Sequence, residues 1–533
     1  MFQHLRHTWI IALLLLGYVC IQSYCIHQLT SNYDEGLFAG YGVTILKGQR
    51  NKDIALYESK LPITSINMLP RAVEQVMHPG LSKKNLEEDI TRGRYVSLLV
   101  SIILALVIYH WSKLLYGKTA ALFSFCFFLL CPNFLAHGIF VSSDIFACLF
   151  MTLSFFFLWK FSGNHQAKNI VLASLFVALS EISKFSMVHL FILFPLLLIT
   201  EYFFCRKNKE NKKQGWKQLI YHLLIFIAIN WFIISAAHLF YGMFMPLNDY
   251  HFKSSFFQNL QTLFHGIGNY LPVPFPSSYI ESMDTVLYFD KLGGGMPGSL
   301  NGPPYILGKS HAHGFWYYYF VVLFYKLPIP ILLLSAAAIF LYFRKPGWKG
   351  FFRNEMYLLI PLFYFLIYMN FFYSTQVGIR HIMIILPLLY IFSGFFFYKL
   401  NTIAAKLTGL ALLIWQGISV GLYFPHFLPY TNEFITNKKM AYKKIADTNL
   451  CYGEGAGFLL KYLRENKTAV YLPDKIIAGK IVVDVNRLVN LNIATMHKYD
   501  WLRSLEPVSH IHSQYLVFDV SPALADSLQK LHH

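Results

Sequence analysis

The chain has 533 residues, of which 56% are hydrophobic, 18% aromatic and only 14% charged, with a net charge of +18. Ordinary soluble domains carry about a quarter charged residues, so this composition excludes a soluble globular enzyme. The basic residues fall in short segments between apolar runs, which is how membrane proteins fix orientation, and this distribution argues against nucleic-acid binding. The seven cysteines lie mostly inside apolar runs without metal or disulfide spacing and read as small packing residues.

The N-terminus is short and basic, with Arg6 between His4 and His7, and Trp9 to Leu29 is long enough to span a bilayer. It lacks a clear small-residue cleavage site and is expected to remain as an uncleaved helix that starts in the cytoplasm. The first outer segment, 31–92, begins with Ser31-Asn32-Tyr33-Asp34-Glu35-Gly36 and ends in a mixed charged stretch, Lys83 to Asp89, that reads as a surface helix. A second span, Tyr95 to Leu115, turns at Gly117 between Lys113 and Lys118 into a third, Thr119 to Phe134. His137-Gly138 and Ser143-Asp144 then precede a fourth span ending near Trp159; the fifth ends at Ser183-Lys184 and the sixth runs from Phe185 to Phe204.

The most basic loop, Arg206 to Lys217, is assigned to the cytoplasm. After the seventh span, Leu219 to Phe240, a second outer segment, 241–313, is rich in Gly and Pro and ends in His311-Ala312-His313. Spans follow at Pro328 to Tyr342, at Met356 to Phe372, after Gly378-Ile379-Arg380-His381, and at Leu407 to Tyr423. The total is about eleven transmembrane helices, and each inner loop is basic under this count. Residues 1–424 are thus read as a transmembrane domain. Residues 425–533, with β-branched runs such as Ile481-Val482-Val483, read as a small extracytoplasmic α/β domain.

This topology gathers Asp34, Glu35, Arg94, His137, Asp144, Lys184, Lys326, Arg380 and His381 at or near one membrane face, from separate spans. Singly each has a plain account: Arg94 and Lys326 snorkel, Lys184 pairs with Glu181, Asp144 caps a helix. Together they form a plausible intramembrane site. Cations hold a phosphate or pyrophosphate, and carboxylates take a proton from an attacking hydroxyl or bind a metal. A lipid phosphate would present its head group at this depth.

The same residues carry a resemblance along nearly the whole chain. Asp34-Glu35, Arg94, Tyr116-Gly117, Pro132, His137-Gly138, Ser143-Asp144, Ser183-Lys184-Phe185, Gly314 to Phe320 with Lys326-Leu327-Pro328, and Gly378-Ile379-Arg380-His381 with Pro387 resemble the GT-C glycosyltransferases that use polyprenyl-phosphate sugars. The set in question is the dolichyl-phosphate-mannose protein mannosyltransferase-like group (glycosyltransferase family 39), related to the lipid A aminoarabinose transferases. Phe424 to Glu433 and Asp447 to Glu454 also resemble the family, but Cys451, Tyr452 and Glu454 stand where its pattern has Asp, Trp and Gln.

The resemblance implies an inverting sugar transfer from a polyprenyl-phosphate donor to an acceptor hydroxyl at the outer face. Asp34 would be the base, with Glu35 and Asp144 in support. Arg94, Lys184, Lys326 and Arg380 are candidate donor-phosphate contacts, His137 and His381 supporting residues, and a divalent metal has weak candidate ligands in His311 and His313. The expected partners are the lipid-linked donor, membrane lipids and an acceptor that is a protein, a lipid or a glycan, with no nucleic acid. The expected location is a bacterial inner membrane, since no long luminal repeat domain is present. Two other readings compete: a transporter or flippase of a lipid-linked sugar, which would place its charges nearer the midplane, and an inactive membrane scaffold.

Overall fold

The computed structural model describes residues 2–49, 59–78, 86–204, 212–267, 270–297, 302–344 and 350–532. Residues 83–85 of the expected surface helix, residues 206–211 of the basic loop, and Lys345 and Lys349 lie outside the described residues. By length and composition, seven helices among the described residues can cross a membrane, or eight if the pair Tyr318–Lys326 and Ile329–Phe343, bent by 116°, is one span. The longest, Leu86–Leu129, holds two of the expected runs because it breaks at Gly117, whose φ of 87° and ψ of 177° suit only glycine. Shorter apolar helices at Ala167–Glu181 and Met356–Phe371 carry two more of the runs. The chain is a polytopic helical membrane protein.

The acidic triplet Glu87, Glu88 and Asp89 is the first turn of Leu86–Leu129 and does not belong to a separate surface helix. Carboxylates there complement the positive end of the helix dipole. The outer segment instead carries a short helix, Glu35–Leu46, a 3₁₀ turn, Pro62–Met68, and a helix, Leu69–Met77.

A two-stranded ribbon, β1 (Tyr305–Ile306) and β2 (Lys309–Ser310), lies in the second outer segment, and a four-stranded sheet lies near the C-terminus. The sheet's strands are β3 (Val470–Tyr471), β4 (Gly479–Asp484), β5 (Ser509–Ile511) and β6 (Tyr515–Val520), in the order β3-β4-β6-β5. Side chains alternate across it. Ile481, Val483, Leu516 and Phe518 join the core shared with the membrane helices. Val482, Tyr515 and Val517 pack on Leu459 of the helix Ala456–Glu465.

Between the last span and the sheet, residues 425–454 are sewn into the helical part. Asn432 Nδ2 donates to the Phe324 and Leu327 carbonyls at 2.5 and 2.9 Å. Lys326 Nζ donates to the Leu428 and Asn449 carbonyls at 2.6 and 2.8 Å.

A buried ion pair holds the first outer turn to the second span. Glu35 is 0% and Arg94 2% exposed. Arg94 Nε and Nη2 donate to the two Glu35 oxygens at 2.8 and 2.6 Å, and its remaining hydrogens go to the Ile26, Leu29 and Thr30 carbonyls. Glu35 also accepts from the Asn32 and Val141 amides, each at 2.9 Å. Breaking such a pair leaves an uncompensated buried charge, so Arg94→Met is expected to cost about 3–5 kcal/mol of stability, with much of it recovered in Arg94→Met/Glu35→Leu. Thermal unfolding of the purified variants checks this; equal stability of Arg94→Met and wild type would refute the strut.

Candidate functional site

Asp34 sits one residue before the helix Glu35–Leu46 and turns away from Glu35. Its Oδ2 accepts from Arg380 Nη1 at 2.9 Å and from the Tyr452 hydroxyl at 2.6 Å. Arg380 Nη1 also donates to the Tyr452 oxygen, and the guanidinium lies 4.7 Å from the centre of the Tyr452 ring. The three groups therefore form a closed triangle drawn from the first outer segment, the turn before the tenth expected span, and the C-terminal segment. Among the described residues, Asp34 Oδ1 has no protein hydrogen-bond donor, Arg380 Nη2 has no acceptor, and Arg380 Nε is buried without one.

Backbone geometry brings the three elements together. Gly378 lies at φ 65°, and a Cβ there would come within 2.2 Å of Thr448 Oγ1. Only glycine permits that approach. It places Arg380 two residues further on, where the Ile379 amide donates to Asn449 Oδ1 at 2.9 Å. Gly453, at φ 95°, likewise packs flat against the Tyr33 ring. Here the C-terminal segment is tied to the first outer turn: the Tyr33 and Thr30 amides donate to the Tyr452 and Glu454 carbonyls at 3.1 and 3.0 Å. Beneath it, His426 Nε2 and Glu454 Oε1 lie 2.5 Å apart, both side chains fully buried.

A second ion pair stands beside the triangle. Lys184 Nζ donates to Asp144 Oδ1 at 2.6 Å and to the Arg380 carbonyl at 3.4 Å. Lys184 therefore does not pair with Glu181, whose Oε2 accepts from the Tyr279 hydroxyl at 3.2 Å. Asp144 begins its helix, but the side chain of the residue before it, Ser143, makes no capping bond. His137 is buried with its ring against Phe140 and Tyr452. His381 Nδ1 meets the Tyr373 hydroxyl at 3.3 Å.

Electrostatics separate the carboxylates. Burial by itself would raise the Asp34 pKa, but Arg380, Lys60 and the Tyr452 bond outweigh it and hold the group down to about 2. Asp447 is pushed up to about 6 by burial, against the opposing pulls of the Thr448 amide and Arg380. His137 is lowered to about 3, chiefly by burial, and His381 is lowered well below its ordinary value by burial with Lys184 and Arg380. Both imidazoles are neutral at physiological pH.

Three sequence expectations are corrected. Arg94 is not placed to hold a donor phosphate, because all its hydrogens are taken by Glu35 and three carbonyls. Lys326, 1% exposed, is an internal strut to the C-terminal segment. Glu35 is fully buried and locked to Arg94. Among the described residues no three His, Cys, Asp or Glu side chains converge as metal ligands do. His311 and His313 have ring centres 6.1 Å apart.

Three groups were missed as site residues. Lys60, from the outer segment, lies where Asp34, Arg380 and Asp144 all act on its charge and stacks 4.3 Å from the Phe38 ring centre. Tyr452 and Asp447 lie in the motif that departs from the family pattern. Asp447 is a non-glycine residue at φ 62°, its amide held by Asn486 Oδ1 at 3.0 Å. Left-handed backbone at a bulky residue signals a position over-determined by its surroundings.

Comparison with known proteins follows this geometry. A model of the dolichyl-phosphate-mannose-protein mannosyltransferase family matches residues 85–234. Over those residues the match bears out the resemblance read from the sequence. No curated protein sequence matches the chain. Among solved structures, the oligosaccharyltransferase AglB of Archaeoglobus fulgidus, in complex with an inhibitory peptide and a dolichol-phosphate, is 14% identical, with 87% of this chain and 60% of that one covered and a TM-score of 0.48. The oligosaccharyltransferase of Archaeoglobus fulgidus in complex with zinc and sulfate is 12% identical, with 84% and 57% covered and a TM-score of 0.41. ArnT of Cupriavidus metallidurans bound to undecaprenyl phosphate is 11% identical, with 96% and 97% covered and a TM-score of 0.32. The chain thus spans about 60% of the length of the oligosaccharyltransferases. At these scores no site residue or ligand is assigned from the solved structures.

The raised Asp447 pKa gives a pH test. The folded state keeps this proton up to about pH 6, whereas an ordinary Asp releases it near 3.8. Folding therefore loses stability as pH rises between those values, and the loss persists above them. Asp447→Asn, which tolerates the left-handed backbone, is expected to raise the thermal midpoint at pH 7.5, by a stability on the order of 2–3 kcal/mol, and to leave it nearly unchanged at pH 4. A lower midpoint at pH 7.5 would contradict the assignment.

Proposed function

We propose that this chain transfers a sugar from a polyprenyl-phosphate donor to an acceptor hydroxyl at the outer face of the membrane, with inversion at the anomeric carbon. The observation that carries the reading is the Asp34–Arg380 pair: one carboxylate oxygen is held while the other, and the far side of the guanidinium, have no protein partner among the described residues. A carboxylate held by one oxygen presents the other to a hydroxyl. A guanidinium with free hydrogens suits a phosphate.

In this reading the acceptor oxygen attacks the anomeric carbon from the face opposite the phosphate. The oxygen–carbon bond forms as the carbon–phosphate oxygen bond breaks, the electron pair leaves with the polyprenyl phosphate, and the acceptor proton passes to Asp34 Oδ1. Arg380, with Lys60 and Lys184 nearby, stabilises the negative charge that builds on the leaving phosphate. Asp34 begins as a weak base because Arg380 and Lys60 hold it ionised. A donor phosphate shares those cations and so raises the proton affinity of Asp34 when both substrates are in place. Asp144 keeps Lys184 aimed at this region.

The family match over residues 85–234 supports a sugar-transferring activity. The basic loops between spans support an N-terminus in the cytoplasm and a C-terminal domain outside.

The test is release of polyprenyl phosphate from a labelled polyprenyl-phosphate sugar by the purified protein. Asp34→Asn is expected to lower turnover by about 10²–10⁴-fold. Equal turnover would remove Asp34 as the base. Movement of intact labelled lipid across liposomes without release would replace the transferase by a transporter.

A further inference from the structure

The Tyr452 hydroxyl is the one neutral member of the triangle around Asp34. It accepts from Arg380 Nη1 and donates to Asp34 Oδ2 at 2.6 Å, so its single hydrogen is committed to the carboxylate. Its ring is fixed independently of that bond. Arg380 stacks on it, and His137 and Phe140 lie against it at 6.4 and 6.1 Å between ring centres. The backbone on either side is tied down as well: the Tyr452 amide donates to Glu454 Oε2 at 3.1 Å, and the Tyr452 carbonyl accepts from the Tyr33 amide. A hydroxyl held this rigidly can fix the rotation of a carboxylate that a flexible cation alone would leave free to swing.

We infer that Tyr452 is a positioning residue of the transfer reaction: its hydroxyl pins Asp34 Oδ2 and thereby aims Oδ1 at the acceptor hydroxyl. The inference rests on the transfer reading above. When a donor phosphate draws on Arg380, the hydrogen bond from Tyr452 is the contact that keeps the carboxylate in place, because it has no charge for the phosphate to compete for. The groups that act on Asp34 from the packed elements are Arg380, Lys60, Asp447 and Tyr452 itself. Of these only Tyr452 is a neutral donor bonded to the carboxylate.

Phenylalanine keeps the ring and its stacking and removes the hydroxyl. Tryptophan keeps an aromatic face and restores a donor in its indole N–H. The experiment compares steady-state release of polyprenyl phosphate from a labelled polyprenyl-phosphate sugar by wild type, Tyr452→Phe, Tyr452→Trp, Asp34→Asn and Asp34→Asn/Tyr452→Phe, with thermal midpoints for each. Tyr452→Phe is expected to lower kcat by about 10- to 100-fold, with donor KM and thermal midpoint nearly unchanged, and Tyr452→Trp to recover most of it. In the Asp34→Asn background the same change is expected to cost less than about twofold, because the base it orients is gone. A purely structural role would instead lower the midpoint or raise KM, and overturns the inference. Turnover of Tyr452→Phe equal to wild type also overturns it while leaving the transfer reading intact. A wild type that releases no lipid phosphate overturns the transfer reading and this inference with it.

Discussion

Asp34 and Glu35 are neighbours in sequence that answer to different cations, and the outer end of the molecule is built on that division. Glu35 is wholly enclosed and neutralises Arg94, which in turn gathers three carbonyls from the end of the first span. A guanidinium is tolerated at that depth only because every hydrogen finds an acceptor. With the turn fixed, the preceding residue has no freedom to follow Glu35 inward. Asp34 is held at the surface of the bundle, facing Arg380 from a turn some three hundred and fifty residues away in sequence (|i−j| is 346).

The C-terminal segment completes the arrangement. A soluble appendage would contact the membrane domain at its edge; residues 425–454 instead run through it. Lys326 donates to the Leu428 and Asn449 carbonyls and Asn432 to the Leu327 carbonyl across the boundary, Asn449 holds the backbone next to Arg380, and Tyr452 reaches Asp34. Folding of the site therefore requires the first outer turn, the Gly378 turn and the C-terminal segment at once. The His426–Glu454 pair under the segment helps hold it from behind, since Glu454 also takes the Tyr452 amide. The consequence is a carboxylate fixed at one oxygen and open at the other, beside a cation with hydrogens to spare.

Much of this was legible in the sequence. Apolar run lengths gave the helices, and the break at Gly117 is marked by its residue type between two lysines. The coincidence of Asp34, Asp144, Lys184 and Arg380 followed from counting spans, because parity alone decides which helix ends share a face. What the count could not do was divide the charges by role. Arg94 and Arg380 look alike in sequence, each near a span end, yet one is saturated by protein and the other is not, and saturation depends on which carbonyls fold back toward it. Lys60 lies in a polar stretch with no apolar periodicity to place it. Tyr452 and Asp447 stand in a motif whose departure from the family pattern hid that its backbone still delivers side chains to Asp34.

The central claim is that Asp34 and a lipid phosphate compete for Arg380. The most direct measurement is equilibrium binding of polyprenyl phosphate to the purified protein in detergent, by calorimetry, for wild type, Asp34→Asn and Arg380→Gln. Wild type is expected to bind saturably, and Asp34→Asn to bind more tightly because the rival anion is gone. Arg380→Gln should bind at least about tenfold more weakly, as loss of a charge-assisted contact to phosphate requires. Equal affinity in Arg380→Gln and wild type, or weaker binding in Asp34→Asn, would contradict the account.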